Sequence, residues 1–225
     1  TDSENTEYGR LLQMVRETLS RAASHVIFVP TQLSHLNATR FGELLAAPEL
    51  ATRRHWLERV LEFKPYTLSE DVERALSAKS ITARSSWVRL HDEVANSQVF
   101  TFNGQELTLA AISKMSYEKD RETRKAATEA LSAGLAEEAK THAFVFNTII
   151  ADCETNQRLR GYQSWISSRN LENEVSDEAV QTLIDAVVDR YDLVRRYYGV
   201  KQRLLGLTEM HDYDRNAVVG SETST

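Results

Sequence analysis

Proline and glycine are scarce: 225 residues hold 3 Pro and 8 Gly. A fold of many short strands reverses direction often, and each reversal draws on residues with fixed or positive φ. A chain with so few of them is confined to long elements joined by short connections, which means helices. The apolar spacing agrees. Leu11, Leu12, Val15, Leu19, Ala22, Val26 and Val29 recur at three- and four-residue steps, predicting a helix over residues 7–29 that Pro30 ends or bends. A second helix is expected from Thr31 to Ala46, before Pro48, and a third over 49–63, stopped by Pro65. Thr67 and Glu70 have the spacing of a capping box ahead of a helix carrying Val72, Ala75 and Leu76. Residues 82–97, with Trp87, Val88, Leu90 and Val94, make another.

The period then changes. Val99–Phe102 and Gln105–Leu109 flank Asn103-Gly104, the strongest short-range signal for a β-hairpin. Two strands cannot form a sheet domain alone, so the hairpin is a flap on a helical body. Helix resumes over 117–158, with Ser116 as a cap and Gly161 closing it. Ser176 caps a further helix whose Val180, Ile184, Val187, Tyr191, Val194, Tyr198 and Leu205 share one face, with Gly206 as its C-cap. The tail from Asn216 to Thr225 has no period and reads as a frayed end or the start of a further element. The expected fold is all-α, with more than half the residues helical and one small hairpin near 99–109. A helical segment over 1–97 and a second part over 98–225 are the expected divisions, which one continuous domain would equally accommodate. No fixed-period repeat is present, so the array is no solenoid.

The net charge is −6, from 27 basic and 33 acidic residues mixed along the chain. That balance disfavours a nucleic-acid binder, whose bases would be massed on one stripe. No apolar run reaches the length of a membrane span. The start, Thr1–Asn5, is polar, carries no signal-peptide pattern and has no initiator Met, so the chain is expected to be part of something longer. Its one cysteine, Cys153, cannot close an intramolecular disulfide and sits in the apolar run 144–153, where a buried inert thiol is expected. The cytoplasm is the expected location.

Catalytic motifs are missing. The six histidines, His25, His35, His55, His91, His142 and His211, include no pair four apart, so His-Glu-x-x-His is absent. His91-Asp92-Glu93 and His211-Asp212-Tyr213-Asp214 are clusters of ligand type without metal spacing, and read as surface charge with an occasional cap. Gly-x-Ser-x-Gly, Cys-x-x-Cys and phosphate-binding glycine loops are absent too. Two stretches are unusual for scaffolding. Residues 159–170 gather Tyr162, Trp165, Arg160, Arg169 and several hydroxyls in one connection. They either contact a ligand or another domain, or form a loop pinned by burial of Trp165 and Tyr162 with Arg169 bonding helix ends. Residues 189–198 carry an aromatic stripe that reads as core packing.

The same stretches carry a resemblance. Arg160-Gly161-Tyr162, then Trp165 through Leu171, then Asn173 through Glu178, resemble the oligoendopeptidase F family. Arg190 through Val194 with Tyr197-Tyr198, and Asp212 through Arg215, are similar to its next landmarks. Trp87 through Leu90, Glu106 through Leu109, Arg121 through Ala127 and Phe146-Asn147-Thr148 fit upstream. The likeness is specific around 159–178 and looser before residue 60. It implies a mostly helical zinc peptidase, related to thimet oligopeptidase, that cuts short peptides in a channel between two helical halves. Its His-Glu-x-x-His helix and later Glu lie beyond the matched region, so no catalytic or metal-binding residue carries over and no zinc is expected on this chain. The partners implied are short peptides and a missing C-terminal catalytic half. Trp165, Arg169, Tyr197 and Tyr198 are the substrate-channel candidates. The alternative is an independent helical module that binds a protein or peptide without catalysis.

Overall fold

The computed structural model describes residues 6–220. Helices make up about 75% of the described residues, and the one sheet among them is a two-stranded hairpin, as the breaker count and period require. Two compact units are present. One takes in the residues up to Arg89 and Val145–Val180; the other takes in Leu90–Phe144 and the residues from Gln181 on.

In the first unit, α1 (Thr6–Val26) is followed after Ile27 by α2 (Phe28–His35). Pro30 lies in the first turn of α2, where an N–H has no helical partner to lose. The expected helix over 31–46 is instead two. Leu36 ends α2, and Asn37 caps α3 (Ala38–Ala46) by accepting the Arg40 N–H at 2.9 Å. That bond holds a donor the helix itself cannot satisfy, and is worth about 1 kcal/mol. A 3-10 turn (Pro48–Arg53) leads into α4 (Arg54–Phe63), and a second one (Lys64–Tyr66) holds Pro65. The capping box at Thr67 does not form. The N-cap of α5 (Glu70–Lys79) is Ser69, and the Thr67 hydroxyl donates to the Phe63 carbonyl at 3.0 Å. Phe41, Leu57 and Val60 form the buried core, with Leu33, Leu44 and Leu61 half-buried around it.

Helix α6 (Arg84–Ser97) leads to β1 (Val99–Phe102) and β2 (Gln105–Thr108), paired Phe100 to Leu107 and Phe102 to Gln105. Asn103 and Gly104 have φ of 51° and 79°, the two positive values that a hairpin turn matching the strand twist needs. Strand alternation drives Phe100 into the core of the second unit beside Ile112 and Ala127 while Val99 faces outward. Thr108 caps α7 (Leu109–Met115), which begins where the second strand was expected to end. The single helix expected over 117–158 is two. Asp120, not Ser116, is the cap, because its carboxylate accepts both the N–H and the hydroxyl of Thr123. α8 (Arg121–Glu137) breaks at Glu138, and α9 (Ala139–Arg160) follows. After α10 (Ser167–Glu172), α11 (Asp177–Val188) and α12 (Tyr191–Leu204) replace one long helix, with the break at Asp189-Arg190. Their shared stripe is not core: Ile184, Val187, Tyr191 and Val194 are all about half exposed. Residues 221–225 of the tail lie outside the described residues.

Candidate functional site

The connection after α9 is fixed at its base. Gly161, at φ 76°, lets the chain reverse while its N–H and that of Tyr162 bond the Arg158 and Gln157 carbonyls, closing the helix. Arg160 then grips Glu73 with both guanidinium nitrogens, at 2.6 and 2.8 Å, and reaches the Tyr66 carbonyl at 3.1 Å. Burial pushes the Glu73 carboxyl up, but the bonds from Arg160 and from the Leu68 N–H outweigh it and hold it below its ordinary range. Tyr162 stacks on Tyr66 with ring centres 4.0 Å apart. The Tyr162 phenol is raised, first by burial.

Beyond this base Trp165 and Arg169 are exposed, while Gln157 and Asn170 hold the loop. Gln157 donates to the Trp165 carbonyl at 2.7 Å and to the Ser168 hydroxyl at 2.9 Å, fixing the backbone. Buried Asn170 donates to Asp177 at 2.7 Å and ties α10 to the next helix. The Trp165 ring is nevertheless 80% exposed, so Trp165 does not pin the loop as one sequence reading had it. Arg169 does not bond another helix end; it faces Glu172 of its own helix at 3.5 Å and stays exposed. Glu174, which closes α10 at φ 58°, is held by His55 at 3.0 Å and Arg59 at 3.5 Å. A loop that presents an exposed indole and guanidinium can bind a peptide's apolar and acidic groups. Cys153 is exposed, contrary to the buried thiol expected, with Gln157 the residue bonded to its sulfur.

Tyr197 and Tyr198 belong to the other unit, so the four candidates fall into two pairs. Their rings meet edge to face at 5.2 Å, and Tyr197 is 58% exposed. The chain that follows α12 is anchored by Asp214, which is completely buried. Its carboxylate accepts from Arg121 at 2.8 and 3.0 Å, from Arg124 at 3.1 Å and from the His211 N–H at 3.1 Å. The Arg121 bonds hold this carboxyl far below the usual range, and His211 and Arg124 add to the effect. Arg124 also donates to the Tyr213, Glu118 and Lys119 carbonyls. Lys201, on α12, is buried and donates to the Arg215 carbonyl at 2.7 Å. Burial lowers its pKa, and repulsion from Arg124 lowers it further. Sequence reasoning read His211-Asp212-Tyr213-Asp214 as surface charge with an occasional cap: Asp214 does cap the turn, but it is buried, and its pairing with the two arginines was missed. Arg121 and Arg124, three apart, put two guanidiniums on one helix face, a signal that names no partner.

The described residues do not fit a zinc ion. No group of three or more His, Cys, Asp or Glu is placed to hold a metal among them. His91 meets only His142, ring to ring at 5.2 Å, and Asp92; His211 stacks on Tyr213, and its neighbouring Asp214 is committed to two arginines. No helix among the described residues is long and apolar enough to cross a membrane.

Comparison with known proteins gives an ordered match. Residues 32–100 match the family model described as Oligopeptidase F, and residues 114–223 match Peptidase family M3. Among curated proteins, the chain is 28% identical over 189 residues to group B oligopeptidase PepB of Streptococcus agalactiae, covering 81% of this chain and 31% of the relative. It is 22% identical to oligopeptidase PepF of Bacillus subtilis, covering 95% of this chain and 33% of the relative. The chain thus spans about a third of the length of these relatives. Among solved structures, oligoendopeptidase-F from Enterococcus faecium superposes with a TM-score of 0.90 at 22% identity, over 98% of this chain and 45% of that one. A peptidase structure from Chlamydophila abortus gives 0.76 at 24% identity, over 88% of this chain and 34% of that one. At these identities the structural likeness concerns the fold.

Proposed function

The chain belongs to peptidase family M3, in its oligoendopeptidase F branch, and we propose that it supplies the non-catalytic wall of a peptide channel in a zinc-dependent oligoendopeptidase. The ordered match of the two family models along 32–223 carries this reading. Zinc and the groups that activate water come from a C-terminal part outside this chain, and the chain alone is inactive. When bound there, zinc supplies a nucleophilic water near neutral pH. This chain's residues do the binding. Trp165, 80% exposed, stacks on apolar peptide side chains, and Arg169 attracts carboxylates. Tyr197 and Tyr198 offer ring faces and phenolic hydroxyls. The protein works in the cytoplasm on short peptides.

Alanine substitution of each of the four in the full-length enzyme tests this wall. The expected result is a raised KM or lowered kcat with folding intact. Unchanged kinetics in all four would make them structural and overturn it.

A further inference from the structure

Between α1 and the start of α6, within the first unit, lies a cleft of about 390 Å³. Its lining includes Arg16, Arg84, Ser20, Ser80, Ser85 and Ser86, and no carboxylate. That is a strong bias in a chain where acids outnumber bases 33 to 27. Elsewhere in this unit Arg40, Arg54, Arg74, Arg158 and Arg160 each face a glutamate. Arg16 and Arg84 have no ion-pair partner among the described residues. The hydroxyls of Ser20 and Ser85 are equally uncommitted there, whereas Ser80 and Ser86 donate to the Ser77 and Ile81 carbonyls at 2.7 Å.

The orientation of α1 supports a built site. Gln13, Arg16 and Ser20, at helical spacing, line the cleft together with Leu19, while Leu11, Leu12, Met14 and Val15 stay about half exposed. A helix normally turns its apolar stripe inward; here the polar stripe faces the neighbouring helices. Arg84 opens α6, which sets its guanidinium on the same cleft as that of Arg16.

We propose that this cleft binds a small phosphomonoester dianion. Two unneutralised guanidiniums match a dianion, and their forked donors, with two free hydroxyls, suit the several oxygens of a phosphoryl group. A monocarboxylate would neutralise one of the two. The volume falls in the ordinary range of small-ligand pockets, roughly 300 to 1,000 Å³. The ester's organic part has Ile81 and Val88 to rest on.

The test is calorimetric titration of the chain at low salt with inorganic phosphate, glucose 6-phosphate, acetate and glucose. Saturable 1:1 binding of both phosphates is expected, with acetate weaker by roughly tenfold or more and glucose silent. Arg16→Ala and Arg84→Ala, checked for folding by circular dichroism, are each expected to weaken phosphate binding by roughly tenfold. Ser85→Ala, a milder change, provides a second variant with a smaller loss. No saturation up to about 10 mM, acetate binding as well as phosphate, or variants that bind like the parent would each overturn the proposal.

Discussion

Replacing Asp214 with Asn should cost this chain much of the stability of its second unit. The carboxylate is completely buried and accepts four bonds, three of them from two guanidiniums. An amide keeps one acceptor oxygen and turns an N–H₂ toward a cation. The Arg124 side chain, 5% exposed, is then left charged without its anion. Breaking a buried pair from one side costs about 3–5 kcal/mol. The lower end applies here, because Arg124 retains three carbonyl acceptors and Arg121, 36% exposed, can be hydrated. Against a typical domain stability of about 5–15 kcal/mol, a loss of about 3 is severe. Urea unfolding followed by circular dichroism at pH 7 should show the midpoint lowered by about 1–3 M, at an ordinary slope for a small protein. The folded-state pKa lies below the unfolded one, so the carboxylate's contribution is complete above the unfolded value of about 3.9 and drains away as pH falls through the lower folded value. The parent and Asp214→Asn should therefore converge as the solution is acidified below about pH 4. A loss under about 1 kcal/mol at pH 7, or a gap that does not close in acid, would refute the anchor.

Three further substitutions probe the frame. A Cβ on Gly134 would come within 2.5 and 2.8 Å of the Phe100 ring, which is fully buried, so Gly134→Ala should cost about 1–3 kcal/mol in urea unfolding; a neutral result would mean the ring is not seated there. Arg160→Lys keeps the charge but cannot span both Glu73 oxygens and the Tyr66 carbonyl, and should lose about 1–2 kcal/mol by the same assay, against none if the pair is merely incidental. Gly104→Ala places a side chain at φ 79° and should lower the thermal midpoint by the equivalent of about 1–2 kcal/mol; an unchanged midpoint would deny the turn geometry.

The sequence carried the architecture further than it carried the site. Helix content followed from scarce breakers, and the hairpin from Asn103-Gly104, because both depend on local backbone preferences. The breaks at Leu36, Glu138 and Asp189-Arg190 contain neither Gly nor Pro, and Asn37, a preferred cap residue, was the local signal at the first. Exposure was illegible. The stripe of Ile184, Val187, Tyr191 and Val194 has the pattern of a buried face, and pattern does not say whether anything covers it. The Glu73–Arg160 and Asp214–Arg121–Arg124 pairs join residues about 90 positions apart, and no local rule brings those together. Trp165 stood out as an unusual loop residue, but its exposure depends on which neighbours the folded chain brings near it, which no local pattern gives.

The central claim is that this chain binds peptides but needs a separate part for its metal and its chemistry. Elemental analysis of the purified 225-residue chain, run beside cleavage of a quenched fluorescent peptide, tests it most directly. No stoichiometric zinc and no cleavage are expected from the chain alone, with both gained when the proposed C-terminal catalytic part is supplied. One zinc per chain, with chelator-sensitive cleavage that survives removal of contaminating proteases, would contradict it and turn attention back to His91 and His211.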